Sequence, residues 1–161
     1  MRAICLIIMV LTGCAGQLGP VPARLPNSTP KSETLPAHEP DAPDEINQMG
    51  ERYRDVRPIR TLHGKATYYS PSLAGRPMAS GERYDPNRAQ AAHRTLPFGT
   101  VVRVTRIDSQ RSVVVRVTDR GPFGGKGRII DLSHAAAERL GILRAGVADV
   151  RVDVLKIPSK R

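Results

Sequence analysis

The sequence predicts a mainly β fold, a small closed barrel with one or two short helices, preceded by a disordered tether. The first observation is a series of short segments rich in β-branched residues within residues 62–157. The second is that only short helical patterns interrupt these segments, as in small all-β barrels. The third is the composition of residues 14–61, where proline and polar side chains offer too little apolar surface to offset the entropy of ordering.

Residues 1–13 have the pattern of an export signal. Arg2 precedes an apolar run at residues 3–11 that is too short to span a bilayer as a helix. The run ends in Leu-Thr-Gly-Cys, which resembles a bacterial lipobox, so we expect Cys14 to be acylated. An ordinary signal peptide or an apolar N-terminal strand is the alternative. Because Ala15 follows the cysteine, we predict a lipid-anchored protein of the bacterial envelope that faces the periplasm, with the outer membrane favoured.

Residues 14–61 form the predicted tether between the membrane and the domain. Eight of the chain's fourteen prolines lie between residues 16 and 60, among Ser, Thr, Asn and acidic residues. The segment "EINQMGERYRDV" has only a weak helical pattern. Cys5 would leave with the signal and Cys14 would carry the lipid, so no thiol would remain for a disulfide or a metal ion.

Five segments of the domain have the composition of strands. In the third of them, Val113, Val115 and Val117 share one face by the period-two rule, and the residues between them share the other face. The segment "SHAAAERLG" predicts a helix with Ser133 as its N-cap and Gly141 at its end. The segment "PNRAQAAH" predicts one further turn of helix. The strand segments are "GKATYYS", "TVVRVTRI", "RSVVVRVT", "GRIIDLS" and "ADVRVDVLKI". Residues 158–161 are a short tail.

The basic residues are concentrated in the domain. The chain has a formal charge of +10 and a pI of about 10.4, and residues 61–161 contain 18 basic and 8 acidic residues. A basic surface attracts polyanions, and an exported chain meets anionic envelope polymers rather than nucleic acid. We therefore expect no nucleic-acid partner; a solvated surface that aids solubility is the alternative. Because no His-x-x-His or similar ligand pair occurs, we expect no metal ion and no cofactor.

Three acids and one histidine lie where a barrel can present functional groups. Asp119 ends a valine-rich strand and begins the glycine-rich loop "DRGPFGGKG", a usual place for functional side chains. Glu82, Asp85 and His93 fall in "GERYDPNRAQAAH", and the first two follow "ASG" in a part with no periodic pattern. Asp119 could instead bind loop amides or an arginine, and Asp85 could cap a helix. Glu82 could equally be a surface acid, and His93 a structural histidine.

These segments resemble the rare lipoprotein A (RlpA-like) family. The resemblance rests on "GKATYYSPSLAGRPMASGERYD", "AAHRTLPFGTVVRV" and "RSVVVRVTDRGPFGGKGRIIDLSHAAAERLG", and it covers nearly all of residues 64–155. It implies a six-stranded double-psi β-barrel. It also implies a lytic transglycosylase that cuts the MurNAc–GlcNAc bonds of peptidoglycan glycan strands, preferring strands stripped of stem peptides. The sequence departs from the family where "YYS" replaces a frequent Trp-Tyr-Gly and "PMASGE" replaces a more usual Thr-Ala-Asn-Gly-Glu.

The resemblance places the family's functional acids and histidine on Glu82, Asp85, His93 and Asp119. In a lytic cleavage one carboxyl protonates the glycosidic oxygen and then accepts the proton of the attacking C6 hydroxyl. We assign this role to Asp119, because a strand end fixes a side chain best. Glu82 would be the neighbouring carboxylate, His93 would orient an acid or bind the sugar, and Asp85 would hold the loop or contact substrate. Asp131, in "GRIIDLS", is a further catalytic candidate and ranks last.

The remaining expectations concern substrate contacts and competing functions. Tyr69, Tyr84 and Arg120 are the predicted substrate-binding residues, and Tyr68, Phe98 and Phe123 are further aromatic residues that could line a sugar groove. We expect a monomer whose partner is the peptidoglycan strand. One alternative is a non-catalytic, expansin-like barrel that binds glycans. Others are a structural envelope lipoprotein that binds another protein, and a glycosidase that uses water as its nucleophile.

Overall fold

The computed structural model describes residues 45–159, so the predicted signal, the predicted acylation site and most of the predicted tether lie outside the described residues. None of the helices within this range is long and apolar enough to cross a membrane. A 3₁₀ turn at Pro71–Leu73 accompanies the regular elements. These elements are α1 (Glu45–Arg52), β1 (Arg60–Tyr68), β2 (Gln90–His93), β3 (Val101–Arg106), β4 (Ser112–Asp119), β5 (Arg128–Leu132), α2 (His134–Leu140) and β6 (Ala148–Lys156).

The six strands close into a barrel in the order β1-β5-β2-β4-β3-β6. β1 pairs in parallel with β5, and β2 pairs in parallel with β4. The other four pairs are antiparallel. The predicted fold class, a mainly β six-stranded double-psi barrel with short helices, is confirmed. The five segments that were predicted as strands correspond to β1, β3, β4, β5 and β6.

Alternate valines of the long strands fill the barrel interior. Val113, Val115 and Val117 of β4 lie in the core, as their spacing predicts. α2 begins at the predicted cap, where the hydroxyl of Ser133 accepts a hydrogen bond from a backbone N–H, and it packs against β4 and β1. Full burial of one such apolar side chain contributes roughly 1.5–3 kcal/mol, so a one-residue slip of a strand would be costly. The matching core residues of β3 and β6 are Val102, Val104, Val150, Val152 and Val154.

α1 lies within residues 14–61, the segment predicted as a tether. Met49 of α1, with Tyr53 and Val56 just beyond the helix, packs over a small apolar patch on the outside of the barrel. Packing against the barrel therefore stabilises this segment, which has only a weak helical pattern of its own. The patch that they cover consists of Val101, Val114 and Leu155.

The predicted turn of helix in "PNRAQAAH" is wrong for its second half, which forms β2. All four residues of this strand are buried between β4 and β5. The methyl groups of Ala91 and Ala92 fit a position that is covered on both faces. Alanine on its own favours helices. Pairing with β4 and β5 closes the barrel, and this tertiary context overrides the helix propensity of the segment.

Gly64 allows β1 and β5 to approach each other closely. A Cβ atom at this position would lie 2.7 Å from Cγ2 of Ile129 and 2.8 Å from the carbonyl oxygen of Gly127. Both distances are too short for non-bonded contact. Only glycine therefore fits where these two strands meet.

Candidate active site

Three neighbouring strands bring two carboxylates to one face of the barrel. Ala92 of β2 pairs with Asp119 of β4 on one side and with Asp131 of β5 on the other. Laterally paired residues of a sheet point to the same face, so the two acids flank the methyl group of Ala92. Their Cα atoms are separated by two strand spacings, or roughly 10 Å. This row of three residues defines the candidate site.

An irregularity in β4 turns Asp119 toward this face. Ala91 pairs with Val117 and Ala92 pairs with Asp119, so Thr118 is an extra residue in β4. Val117 points into the core, and simple alternation along the strand would direct Asp119 into the core as well. The extra residue reverses the alternation, as β-bulges beside active sites commonly do. Asp119 consequently emerges half-buried on the outer face.

Three donors hold the carboxylate of Asp119. Its Oδ1 accepts hydrogen bonds from the backbone N–H groups of Ala79 and Arg120, both at 2.8 Å. Its Oδ2 accepts a hydrogen bond from the hydroxyl of Tyr69, also at 2.8 Å. Backbone amides therefore bind Asp119, as in the structural alternative given for this residue above. The same contacts fix the position of a side chain that ends a rigid strand.

Tyr69 and Tyr84 line the space beside Asp119. Their ring centroids are 5.2 Å apart, and the hydroxyl of Tyr84 accepts a hydrogen bond from the N–H of His134 at 3.3 Å. Burial raises the pKa of Tyr69 well above its ordinary value, and the hydrogen bond to Asp119 and the charge of that acid raise it further. The phenol therefore stays protonated. A cavity of about 130 Å³ lies between these residues and Met78.

Asp131 is the more enclosed of the two acids, with 9% of its surface exposed. Its Oδ1 accepts hydrogen bonds from the hydroxyl of Thr67 and, at 3.0 Å, from the guanidinium of Arg128. Gly121 crosses this face with a φ of +143°. A Cβ atom on Gly121 would lie 3.7 Å from both Asp131 Oδ2 and the methyl group of Ala92. The loop after β4 thus forms one wall of the site; the added Cβ would make only ordinary contacts, so it is the positive φ that favours glycine here.

Among the described contacts, Glu82 binds Arg116 and not Asp119. The two side chains form a bidentate ion pair, with distances of 2.6 and 2.9 Å, and each is about a third exposed. Arg116 lies on β4, and Glu82 belongs to a hairpin that also contains Ala79. The ion pair therefore ties to the strand the hairpin that donates an N–H to Asp119. Glu82 supports the position of Asp119 through these intermediates.

Asp85 closes a turn. Its Oδ1 accepts a hydrogen bond from the N–H of Asn87 at 2.9 Å, and its own N–H donates to the side-chain oxygen of Gln90, also at 2.9 Å. The amide nitrogen of Gln90 donates to the carbonyl of Arg83 at 3.1 Å. Asp85 thus stabilises a turn, with Gln90 as the buried partner, and among the described residues no helix begins directly after Asp85 for it to cap.

His93 is 7% exposed and closes the turn that follows β2. Its Nδ1 accepts hydrogen bonds from the N–H groups of Thr95 and Leu96, at 3.2 and 3.1 Å. Because His93 pairs with the core residue Ile130, it lies on the face of β2 opposite Ala92. Its pKa is lowered by burial first and then by the charges of Arg60, Arg120 and Arg94. The imidazole is therefore neutral, and its proton is on Nε2.

The predicted substrate residue Arg120 is occupied by internal contacts. Its guanidinium lies 3.6 Å from the ring centroid of Phe98. Its Nη1 donates to the carbonyl oxygens of His93 and Leu96, at 3.2 and 2.9 Å. Arg120 therefore holds the turn after β2 against the end of β4.

Unlike Arg120, whose side chain makes internal contacts, Phe123 faces solvent: 83% of its surface is exposed. It lies two residues beyond Gly121 in the loop that walls the site. Arg94 anchors this loop by donating to the carbonyl oxygens of Pro122 at 2.5 Å and Arg128 at 3.0 Å. An exposed ring in the loop that walls the site is suited to stacking on a sugar.

The site therefore offers proton-transfer groups, hydrogen-bond donors and aromatic surface. Within residues 45–159, no group of three or more His, Cys, Asp or Glu side chains could hold a metal ion. The backbone N–H of Ala79 was not among the predicted site groups, and Asp131 ranked last among the predicted acids. Asp119 and Asp131 share one feature in the sequence, because both lie at or near the ends of valine- or isoleucine-rich strands.

Comparison with known proteins gives a consistent result. A family profile described as lytic transglycolase matches residues 61–152. The probable endolytic peptidoglycan transglycosylase RlpA of Nostoc sp. (strain PCC 7120) is 46% identical over 134 residues, covering 80% of this chain and 36% of the relative. The endolytic peptidoglycan transglycosylase RlpA of Vibrio cholerae is 38% identical over 169 residues, covering 96% of this chain and 64% of the relative. The chain therefore spans less than two thirds of the length of each of these relatives.

Two solved structures are similar to part of this chain. Apo expansin from Clavibacter michiganensis has a TM-score of 0.49 and 26% identity, covering 63% of this chain and 53% of that chain. The Streptomyces papain inhibitor has a TM-score of 0.48 and 27% identity, covering 63% of this chain and 100% of that chain.

Proposed function

Because the chain belongs to the RlpA-like family of lytic transglycosylases, we propose that it cleaves peptidoglycan glycan strands at their MurNAc–GlcNAc bonds. The products are strands with 1,6-anhydro-MurNAc ends, and strands poor in stem peptides are the favoured substrates. The names of the relatives support this reaction class. The observation that carries the proposal for this chain is the row Asp119–Ala92–Asp131, with a tyrosine hydroxyl on the first acid.

Asp119 is the general acid and then the general base. Its carboxyl proton passes to the glycosidic oxygen as the bond between C1 and that oxygen breaks. The C6 hydroxyl of the same muramic residue then attacks C1, and its proton returns to Asp119. The sugar closes a 1,6-anhydro ring, no water is consumed, and the enzyme recovers its starting state. One positioned proton-transfer group contributes about 10²–10⁴-fold to such a reaction.

Tyr69 holds Asp119 through both proton transfers. The protonated oxygen of a carboxylic acid keeps acceptor capacity, so Tyr69 can donate to Oδ2 at 2.8 Å in both forms of the acid while the carboxyl proton points at the substrate. The raised pKa of Tyr69 keeps this hydroxyl protonated at neutral pH. The two backbone N–H donors fix the other oxygen, which leaves Oδ2 as the proton-transferring atom.

Asp131 stabilises the positive charge that develops at C1. It lies across Ala92 from Asp119, and Thr67 and Arg128 hold it in place. A fixed negative group near an oxocarbenium-like state is worth more in a partly enclosed site than in water. Tyr84 and Phe123 supply rings for the sugars on either side of the scissile bond.

Purified sacculi treated with the full chain test this function. We expect mass spectrometry to find 1,6-anhydro ends with the wild type and almost none with Asp119→Asn. Asp149→Asn is the matched control, because Asp149 is an exposed acid of the same barrel that pairs only with Lys65 among the described residues. Reducing ends without the anhydro ring would indicate a hydrolase. Intact strands that co-sediment with the protein would indicate a glycan-binding protein instead.

We also propose that acylated Cys14 anchors the protein in the envelope, where the domain works as a monomer. The support is the "LTGC" sequence that follows the apolar run. Labelled palmitate should be incorporated by the wild type and by Cys5→Ser, but not by Cys14→Ser. Labelling of Cys14→Ser would contradict the anchor. Sedimentation of the purified chain should give the mass of one copy, and a dimer would contradict the monomer.

A further inference from the structure

The cavity beside Asp119 is lined by one cation. This cavity, of about 130 Å³, is the one that Tyr69 and Tyr84 also line. Arg76 is the one basic residue among its described lining residues, and Asp119 is the one acid. Arg76 was not among the predicted substrate residues, whereas the predicted arginine, Arg120, makes internal contacts. Arg76 therefore brings a positive charge to the space that a substrate would enter beside Asp119.

The side chain of Arg76 is exposed, and it makes no hydrogen bond or ion pair with any residue between 45 and 159. Other arginines around the site are engaged. Arg116 pairs with Glu82, and Arg128 donates to Asp131. Three more donate to backbone carbonyl oxygens: Arg83, Arg94 and Arg120. Among these six described arginines, Arg76 alone keeps all of its side-chain donors available to a ligand.

The backbone of Arg76 is fixed beside the aromatic wall of the cavity. Its carbonyl oxygen accepts a hydrogen bond from the N–H of Tyr84 at 2.9 Å. The next residue, Pro77, forms an antiparallel bridge with Arg83 in the hairpin that also contains Ala79. The side chain of Arg76 therefore starts from a fixed point at the cavity and can turn toward a ligand there.

The size of the cavity indicates which part of a substrate it can take. Pockets that enclose a whole drug-sized ligand measure roughly 300–1,000 Å³. A volume of about 130 Å³ therefore suits one substituent of a sugar and not a peptide. A muramic residue has such a substituent, the lactyl group, whose carboxylate is free when no stem peptide is attached. In a peptide-bearing residue the same group is a neutral amide. A guanidinium discriminates between the two, because only the carboxylate accepts charge-assisted, bidentate hydrogen bonds.

We propose that Arg76 binds the free lactyl carboxylate of the muramic residue at the cleaved bond, and thereby selects strands without stem peptides. The proposal rests on the proposed function, which places this sugar beside Asp119. The lactyl group is attached to C3 of the ring whose C1 is attacked, so both can lie at the same cavity. The charge of Arg76 also offsets the repulsion between the substrate carboxylate and Asp119.

Initial rates with two forms of one glycan preparation test the proposal. The full chain is given strands stripped of stem peptides, and the same strands with their lactyl carboxylates converted to simple amides. The amidated strands lose the charge without gaining the bulk of a peptide. We expect the wild type to have a KM about fivefold higher for the amidated strands, with a smaller effect on kcat.

Variants of Arg76 should remove this preference. Arg76→Gln should raise the KM for stripped strands about fivefold and should no longer distinguish the two forms. Arg76→Lys keeps the charge but not the planar fork, and it should raise the KM about twofold. Arg111→Gln is the matched control and should keep the wild-type preference. Arg111 is an exposed arginine next to Ser112, which begins β4, roughly 20 Å from Asp119 at the other end of the strand.

Two kinetic results would overturn the proposal. One is an equal KM of the wild type and Arg76→Gln for stripped strands. The other is a shifted pH profile of kcat in Arg76→Gln with an unchanged KM, which would show that Arg76 acts on Asp119 and not on the substrate.

Calorimetry with Asp119→Asn separates this proposal from the proposed function. Asp119→Asn should bind stripped strands about fivefold more tightly than the double variant Asp119→Asn/Arg76→Gln. Equal affinities of these two variants, with thermal unfolding showing that both are folded, would also overturn the proposal. The expected difference in affinity, found together with a wild type that releases no anhydro ends, would contradict only the proposed function.

Discussion

Asp119 and Asp131 lie on the same face of the barrel with one strand between them, because Ala92 pairs with both. Each acid is held by a different set of donors: backbone N–H groups and a phenol for Asp119, a hydroxyl and a guanidinium for Asp131. Two carboxylates in different surroundings can take different roles in one reaction.

Replacing the two acids separately should distinguish these roles. We expect Asp119→Asn to lower the release of anhydro ends by about 10²–10⁴-fold, because the proton donor and acceptor is lost. Asp131→Asn should lower it by roughly 10²-fold, because a fixed charge is lost but proton transfer remains. Quantitative mass spectrometry of digested sacculi measures both, and Asp149→Asn should remain near the wild type. Full activity of Asp131→Asn would remove Asp131 from the mechanism.

The pair Glu82–Arg116 should act as a unit that positions the hairpin. Glu82→Gln and Arg116→Gln should reduce activity to a similar extent, and the double variant should be little worse than either single one. The double-mutant cycle on unfolding free energy should give a coupling of about 1 kcal/mol, since the pair is bidentate but partly exposed. A much larger loss of activity for Glu82→Gln than for Arg116→Gln would instead indicate that Glu82 contacts the substrate.

His93 should make the domain less stable in acid. Its pKa is lower in the folded state than the ordinary 6.5, because of burial and nearby arginines. The unfolded chain therefore binds the proton more readily. The stabilising contribution is present above pH 6.5 and is lost as the pH falls through the folded-state pKa. Urea titrations between pH 7.5 and pH 4.5 should show this decrease in stability. These limits lie about one to two units on either side of an unperturbed histidine pKa.

Histidine variants provide the control for that pH dependence. His93→Asn keeps a side-chain acceptor for the N–H groups of Thr95 and Leu96 but does not titrate, so its stability should fall less between neutral and acidic pH. His63→Asn replaces an exposed histidine and should follow the wild type. A wild-type curve that is superimposable on that of His93→Asn would contradict the assignment.

Phe123 should matter for substrate binding and hardly at all for folding. Its ring is mostly exposed, so Phe123→Ala should leave the midpoint of thermal unfolding nearly unchanged. Loss of a stacking surface should raise the KM for glycan strands about three- to tenfold with a smaller effect on kcat. Phe123→Tyr retains the ring and should behave like the wild type. An unchanged KM for Phe123→Ala would exclude stacking at this position.

Gly64→Ala should destabilise the barrel through overpacking. The added methyl group would lie within 3 Å of Ile129 and of the carbonyl of Gly127, both of which belong to or adjoin β5. We expect a loss of about 1–3 kcal/mol in unfolding free energy, measured by urea denaturation. Gly124→Ala is the control, because a Cβ there meets no atom within 4 Å. Equal stability of Gly64→Ala and the wild type would mean that the two strands can separate without cost.

Much of the fold follows from local patterns that the sequence displays. Alternating valines predict β4 and its inward face, and Ser133 and Gly141 mark the ends of α2. β2 and α1 were not predictable in the same way. The segment that forms β2 is alanine-rich and becomes a strand only because β4 and β5 enclose it. α1 is ordered by an apolar patch whose residues come from three separate strands.

The site shows the same division between local and long-range information. Asp119 could be selected from its place at a strand end, and Glu82, Asp85 and His93 from a nearby loop segment. The resemblance to a known family then placed its functional residues on these four. Which of these approach one another depends on strand order and on the bulge at Thr118. Neither can be read from spacing along the chain. Arg120, adjacent to Asp119 in sequence, turns instead to Phe98.

Closure of the barrel has a consequence for association with other chains. Each of the six strands described has a partner on both sides, so this ring offers no open sheet edge to a foreign strand. Recruitment by β-augmentation is thereby blocked for the described barrel, as is edge-to-edge growth into fibrils. Anything that docks on this ring must recognise side chains and loops.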